Sequence, residues 1–237
     1  MKKLLNSKVR KLADKIRDRN LRLKVVELLQ NPTFQADGKT YSGSRFDVSP
    51  AGLSHHHSYT GGLIDHVLAT ANIALALCDS TEKIYHGKVN RDIVIAGVLL
   101  HDVFKPLMYS LGDTGNYVST NLADRLDHLS IATAELARRG FPLDLVHVVS
   151  AHHGEYGPIR PRTVEALICY LADLTDSRFD GEVLSAATYL VRKAAGTELR
   201  GLTSKEALEI IHAKTIDGWS GVTKTFEKIS RERLHKN

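Results

Sequence analysis

His101-Asp102 follows the apolar run Ile93-Val94-Ile95-Ala96-Gly97-Val98-Leu99-Leu100 and precedes Lys105-Pro106. A histidine beside a carboxylate at the buried end of a helix is costly to keep inside a protein unless a cation holds the pair. The rest of the chain supplies partners of the same kind. His66 lies in Leu63-Ile64-Asp65-His66-Val67-Leu68, His128 in Asp127-His128-Leu129-Ser130, and His152-His153 just before Gly154. Asp173 interrupts the apolar stretch from Ala166 to Leu174. Singly, most of these have ordinary explanations: a hydrogen-bonded core histidine, a helix-start residue, one of His152 and His153 turned to solvent. Asp173 resists such an explanation, because an ionised carboxylate among apolar neighbours needs a cation. The conjunction and its order carry the signal. Asp65, Asp127 and His147 read as surface residues or neighbours of the cluster.

The elements that must position these groups read as helices. Leu4, Leu5, Val9, Leu12, Ala13 and Ile16 recur at helical spacing, as do Leu23, Val25, Val26, Leu28 and Leu29, until Pro32 stops the second run. The segment 33–58 lacks periodicity and reads as an ordered loop carrying Phe34, Tyr41 and Phe46. Gly61-Gly62 opens a helix from Leu63 to near Asp79. Asn90 caps one that runs from Arg91 to near Phe104, with Pro106 closing it. A helix from Asp127 to Arg139 ends at Gly140. Another starts at Pro142 and ends near His153 with Gly154 beyond. The next begins at Arg162 or Thr163 and reaches Asp176. Weaker helical stretches follow from Gly181, with Thr203 or Ser204 capping Lys205 to Ala213. No convincing alternating strand appears, so the expected fold class is all-α.

The 237 residues, 43% of them hydrophobic, suffice for a full core. No hydrophobic run suggests a membrane span, and the basic N-terminus lacks the apolar stretch of a secretory signal. Cys78 and Cys169 fall in apolar helical patterns, as buried thiols do. The expectation is a soluble, cytoplasmic protein with no membrane partner. The formal net charge of +5 weakly favours anionic partners, phosphates or nucleic acid. Much of the excess lies at the ends, Lys2 to Arg22 and Lys224 to Lys236, which fit solvated faces, nucleic-acid contacts or the helices of a homo-oligomer.

The order His … His-Asp … His … His-His … Asp on successive helices resembles the HD-domain superfamily of metal-dependent phosphohydrolases. The resemblance runs from about Ser54 to Asp176. It is densest in His55-His56-His57-Ser58-Tyr59-Thr60-Gly61-Gly62-Leu63-Ile64-Asp65-His66 and in His101-Asp102-Val103-Phe104-Lys105. The first segment is similar to HD domains of bacterial 3′–5′ exoribonucleases. Those carry an N-terminal oligonucleotide-binding barrel, whereas this chain starts with a short helical segment. Small archaeal-type HD proteins that open cyclic phosphodiesters are similar in size and lack the barrel too.

The resemblance implies an HD-domain helical bundle with short helical N- and C-terminal extensions. Its parts would be N-terminal helices and an ordered loop over 1–53, the HD core over 54–180, and a C-terminal extension over 181–237. It implies that His66, His101, Asp102 and Asp173 hold one metal, and that Asp102 bridges to a second held by His128 and by His152 or His153. Imidazole with carboxylate suits Fe, Mn, Co, Ni or Zn, a carboxylate can bridge two cations, and the absence of thiolate ligands argues against a structural zinc. Lys105, four residues after His101 on one helix face, would meet the phosphate or the attacking water, or else is a cation favoured by the helix end. His57 would contact the phosphate or the leaving group. Arg125, Arg160 and Arg162 are candidate phosphate clamps, and Asp176 and Ser177, at i+3 and i+4 from Asp173, would line the same pocket. The implied activity is phosphodiester hydrolysis of a small nucleotide-like or cyclic-phosphate substrate. The alternatives are a 3′–5′ exonuclease on RNA or single-stranded DNA and a non-catalytic nucleotide-binding module.

Overall fold

The alternation of apolar stretches with capping residues becomes a chain of helices in the computed structural model, which describes residues 5–113, 115–197, 199 and 201–234. The outermost residues of the two basic ends lie outside that range. In order come α1 (Ser7–Ala13), α2 (Arg19–Gln30), the hairpin β1 (Thr33–Ala36) and β2 (Lys39–Ser42), α3 (Gly62–Lys83), α4 (Arg91–Leu100) and α5 (Lys105–Met108). A second hairpin, β3 (Tyr109–Leu111) and β4 (Tyr117–Ser119), leads to α6 (His128–Arg138), α7 (Leu143–Ser150), a single 3-10 turn over Gly154–Tyr156, α8 (Val164–Ala195) and α9 (Ser204–Leu234).

The caps act as their residue types predict. Asn90 accepts from the Ile93 amide, Asp127 from Ser130 and Thr163 from Ala166. Four expectations change. The 33–58 segment is not all loop: Asp37-Gly38, both at positive φ, make the tight turn that pairs β1 with β2. The helix begun at Arg91 ends at Leu100, and Pro106 does not close it but sits in the first turn of α5, where a missing N–H is harmless. The helix begun at Thr163 continues past Asp176 and Gly181 to Ala195, and α9 departs from helical geometry only at Gly218. Finally, α3 is 22 residues long and apolar enough by composition to cross a membrane. It packs against α4 and α8 and buries His66, the position of a core helix.

The apolar interior has two parts. One runs from Val9 on α1 to Ala172 on α8 and includes the N-terminal helices, α3, α4 and α7. The other joins Val183, Leu184, Ala187 and Val191 of α8 to Ala207, Ile210, Val222 and Ile229 of α9. The expected border at residue 180 therefore falls inside a helix, between two hydrophobic clusters. Asp173, Asp176 and Asp180 occupy that seam. The connection between α1 and α2 is pinned to α4, because Asp92 accepts from the amides of Arg17 and Asp18.

Candidate active site

Each predicted metal ligand stands at a helix end or on a helix face turned inward. His101 is the C-cap of α4, and its amide donates to Gly97 O at 2.8 Å. Asp102 follows in a tight turn closed by the Lys105 amide. His152 and His153 leave the end of α7, and His128 starts α6. α4 and α7 thus deliver their carbonyl-rich C-termini to the cluster, which favours positive charge. α3 brings His66 and α8 brings Asp173.

Asp102 lies between two donor sets. Its Oδ2 is 3.3 Å from His66 Nε2, 3.4 Å from His101 Nε2 and 2.7 Å from Lys105 Nζ. Its Oδ1 is 3.2 Å from His128 Nε2 and 3.8 Å from His152 Nε2. On the first side, His66, His101 and Asp173 offer donor atoms that lie within 4.8 Å of one another, and His128, His152 and His153 do so on the second. Both His152 and His153 therefore reach the cluster. Lys105 is an ion-pair partner of Oδ2, whereas Oδ1 has only imidazoles near it. Asp102 Oδ1 and the Nε2 atoms of His128 and His152 are buried without a hydrogen-bond partner. Buried polar atoms in that condition are rare, and a divalent cation satisfies all of them together. The residues fit the metal that the sequence calls for.

The other ring nitrogens explain why Nε2 points inward. His101 Nδ1 lies 3.0 Å from Val98 O, and His152 Nδ1 lies 2.6 Å from Val149 O. His66 Nδ1 is 2.7 Å from Asp176 Oδ2. An Nδ1–H given to a carbonyl or carboxylate fixes the tautomer and leaves Nε2 as the ligand atom.

Charges inside the cluster are strongly biased. Burial opposes the charged form of His66, yet Asp102, Asp173 and Asp176 outweigh it and raise its pKa well above the ordinary value. Burial also opposes ionisation of Asp102, but Lys105 and His101 hold it well below the carboxylate range. Lys105, sealed beside Asp102, keeps its proton more firmly than a free lysine despite its burial. Burial and the neighbours His101 and His153 push His152 well down, and burial with His128 lowers His153. Those two imidazoles are neutral and ready to coordinate. His66, His101, Asp102 and His152 are sealed, whereas the side chains of His128 and Asp173 keep 13% and 16% exposure. Solvent reaches the cluster on that side.

Several expected roles move. His57, expected at the phosphate or leaving group, is buried, with Nε2 2.9 Å from Asp176 Oδ2 and Nδ1 3.1 Å from the Tyr59 hydroxyl. Its left-handed backbone, φ 43°, turns its amide to Asp180 Oδ2 at 2.6 Å. Gly62 makes room for that turn, since a Cβ there would lie 2.1 Å from His57 O. Asp176 is likewise not a pocket residue but a buried link between His57 and His66. Ser177 stays beside the cluster, donating from Oγ to Asp173 Oδ1 at 3.2 Å. Arg125, Arg160 and Arg162 lie exposed, with no hydrogen bond or ion pair to the cluster among the described residues. Arg160 and Arg162 precede α8, and Asp173 lies about 15 Å further along that helix.

Sequence reasoning passed over His56 and Asp180. The His56 ring lies 5.3 Å from that of His66, its Nε2 is buried without a hydrogen-bond partner, and burial, then Lys105 and His66, push its pKa down to about 4. Asp180 was foreshadowed by Asp173, Asp176 and Asp180 recurring at i, i+3 and i+7 on one helix.

Comparison with known proteins agrees with this geometry. The HD domain family model matches residues 63–178. Dihydroneopterin 2',3'-cyclic phosphate phosphodiesterase of Methanocaldococcus jannaschii is 42% identical over 170 residues, which cover 72% of this chain and 68% of that protein. This chain belongs to the HD-domain family. The 3'-5' exoribonuclease YhaM of Listeria welshimeri is 33% identical over 150 residues, 59% of this chain and 45% of its own length. YhaM of Bacillus velezensis is 33% identical over 152 residues, 59% of this chain and 46% of its own. The chain thus spans less than half of those exoribonucleases. No solved structure gives a significant match. HD domains are metal-dependent phosphohydrolases, so this HD-domain protein is an enzyme of that class, and its buried His/Asp groups are suited to a divalent metal.

Proposed function

We propose that this HD domain hydrolyses a phosphodiester of a small nucleotide-like molecule, in particular a cyclic phosphate, at a pair of divalent transition metals. The observation that carries the reading is Asp102, whose two oxygens face separate donor sets. The first ion would take His66, His101, Asp102 and Asp173, and the second His128, His152, His153 and Asp102. Fe, Mn, Co, Ni and Zn suit these ligands. Bound there, the ions would lower the pKa of water and neutralise charge on phosphoryl oxygens.

The chain's own groups do the rest. Lys105 holds a fixed positive charge against Asp102 at the floor of the site and favours an anionic phosphate above it. Asp176 holds His66 by Nδ1, and His57, anchored to Asp180, holds Asp176. The partly exposed side of His128 and Asp173 admits the ester. There a water oxygen bonds to phosphorus, the P–O ester bond breaks, and the departing alkoxide takes the proton that the water gives up. The M. jannaschii relative, named for a cyclic phosphate, supports the substrate class. The YhaM relatives support a second reading, 3′–5′ exonuclease action on RNA or single-stranded DNA.

The test is reconstitution with each metal in turn, followed by assay on bis-p-nitrophenyl phosphate, 2′,3′-cyclic nucleotides and a labelled oligonucleotide. Cleavage of the cyclic nucleotides supports the main reading, and laddered oligonucleotide products whose yield falls steeply with salt support the second. No hydrolysis at all, with metal content unchanged in Asp102→Ala, refutes both.

A further inference from the structure

A cavity of about 1600 Å³ is lined by none of the predicted metal ligands. It begins one turn beyond them. Ser177, which donates to Asp173 Oδ1, is part of its wall, and the wall continues along one side of α8 through Gly181, Ser185 and Thr188. From Leu174 to Arg192 that side is about 27 Å long. Tyr59 and Tyr117 close the opposite side, held by hydrogen bonds to Asp65 and to Val48 O.

Gly181 is the anomaly. It sits in the interior of a 32-residue helix, where glycine is the poorest choice short of proline. Nothing in the fold requires it: its backbone is not left-handed, and a Cβ there would meet no atom within 4 Å. Gly97 and Gly154, by contrast, have neighbours at 2.4 Å and 2.1 Å from such a Cβ. The space beside Gly181 belongs to the cavity.

We propose that this cavity receives the organic remainder of the phosphodiester, a planar heterocycle carrying hydroxyl groups, and that Gly181 is the specificity-determining residue that keeps it open. The proposal rests on the phosphodiesterase reading only for placing phosphorus at Asp173. The rings of Tyr117 and Tyr189 offer stacking faces, and the seryl and threonyl hydroxyls offer partners for ribose-like oxygens. The volume exceeds the roughly 300–1,000 Å³ that encloses a small ligand, so the distal part of the ligand stays solvated.

The experiment measures binding without turnover: titration calorimetry of guanosine 2′,3′-cyclic phosphate into the metal-free full chain, wild type against Gly181→Ala and Gly181→Phe. The affinity loss is expected to grow with side-chain size, under about threefold for Ala and at least tenfold for Phe. Both variants should melt at or above the wild-type temperature, since helix propensity improves. With metal restored, Gly181→Phe should lose a larger factor in kcat/KM on the cyclic nucleotide than on bis-p-nitrophenyl phosphate. Equal affinity in all three proteins overturns the proposal, as does a lack of wild-type binding. A tetranucleotide that binds where the mononucleotide does not overturns the assignment in favour of a strand. Binding blocked by Phe in a protein that hydrolyses neither compound would leave this inference standing and remove the phosphodiesterase reading.

Discussion

Metal uptake by this site should expel a proton, and the source of that proton can be named. His66 and His101 bring their Nε2 atoms to 3.0 Å of each other. Two lone pairs at that distance repel, so in the metal-free protein a proton lies between them. Asp102, Asp173 and Asp176 keep it on His66 although burial opposes the charge. A cation coordinated by both rings takes the proton's place. The sign follows from the direction of the shift. Because the His66 pKa is raised above its ordinary value of about 6.5, the proton is still bound near pH 7. Below the raised pKa, each pH unit downward weakens metal binding about tenfold, or about 1.4 kcal/mol, and above it the dependence flattens. In the metal-free fold, the same proton stabilises fully below about pH 6.5, and its contribution is lost as pH rises through the raised value. Calorimetric titration with Mn²⁺ or Zn²⁺ near pH 7, in buffers of different ionisation enthalpy, counts the protons released. At least one per first metal bound is expected. No release, together with an affinity flat from about pH 6 to 8, would refute the reasoning.

Three further outcomes follow from named contacts. Asp176→Asn weakens the hold on His66 Nδ1 and should lower metal affinity about 10–100-fold, with fewer protons released on binding, both read in the same titrations. Glu135, almost fully buried, is bound by Arg138, Arg139 and the Gln35 amide, and despite its burial these hold its pKa below the ordinary value. Glu135→Gln should destabilise by about 1–3 kcal/mol at neutral pH, because both arginines can reach solvent. The gap should narrow as pH falls below about 4.5 through the depressed pKa, where wild type loses the same charge, as urea unfolding against pH would show. Gly97→Ala drives a methyl to 2.4 Å from Val148 Cγ1 and 3.1 Å from Cys169 Sγ. Overpacking of about 1–3 kcal/mol, less up to about 1 from helix propensity, should leave a lower Tm. Metal affinity should drop with it, since Gly97 O anchors the His101 amide.

What could be read in the sequence follows from how each signal is made. Helix caps are local: Asn90 announces itself by type and position and caps as expected, and Asp127 and Thr163, read only as helix starts, are caps as well. The buried ligands were legible because a histidine or aspartate inside an apolar period is a conflict that only a partner resolves. Helix continuity was less legible. Asp176 and Gly181 look like breaks in the chain, yet α8 passes through both, because the carboxylate is satisfied by two imidazoles from outside the helix and the glycine faces empty space. The hairpin at Asp37-Gly38 was missed although its turn residues are the expected ones, because its strands are only four residues each.

The three consecutive histidines show where sequence reading stops. His55, His56 and His57 are chemically identical, and a resemblance alone assigned the reactive place to His57. The choice is made by backbone geometry and partners: His55 and His57 are both left-handed, but only His57 has its ring on Asp176 and its amide on Asp180, and the His56 ring lies 5.3 Å from that of His66. The turn exists because Gly62, five residues later, has no Cβ to strike His57 O, and because two carboxylates from α8, more than a hundred residues away, meet it. The part of the triplet that faces the His/Asp cluster is therefore set by a glycine and two aspartates, none of them among the predicted metal ligands. One consequence is that exchanging roles would take more than moving a histidine by one position, since Asp176, Asp180 and Gly62 would have to move with it.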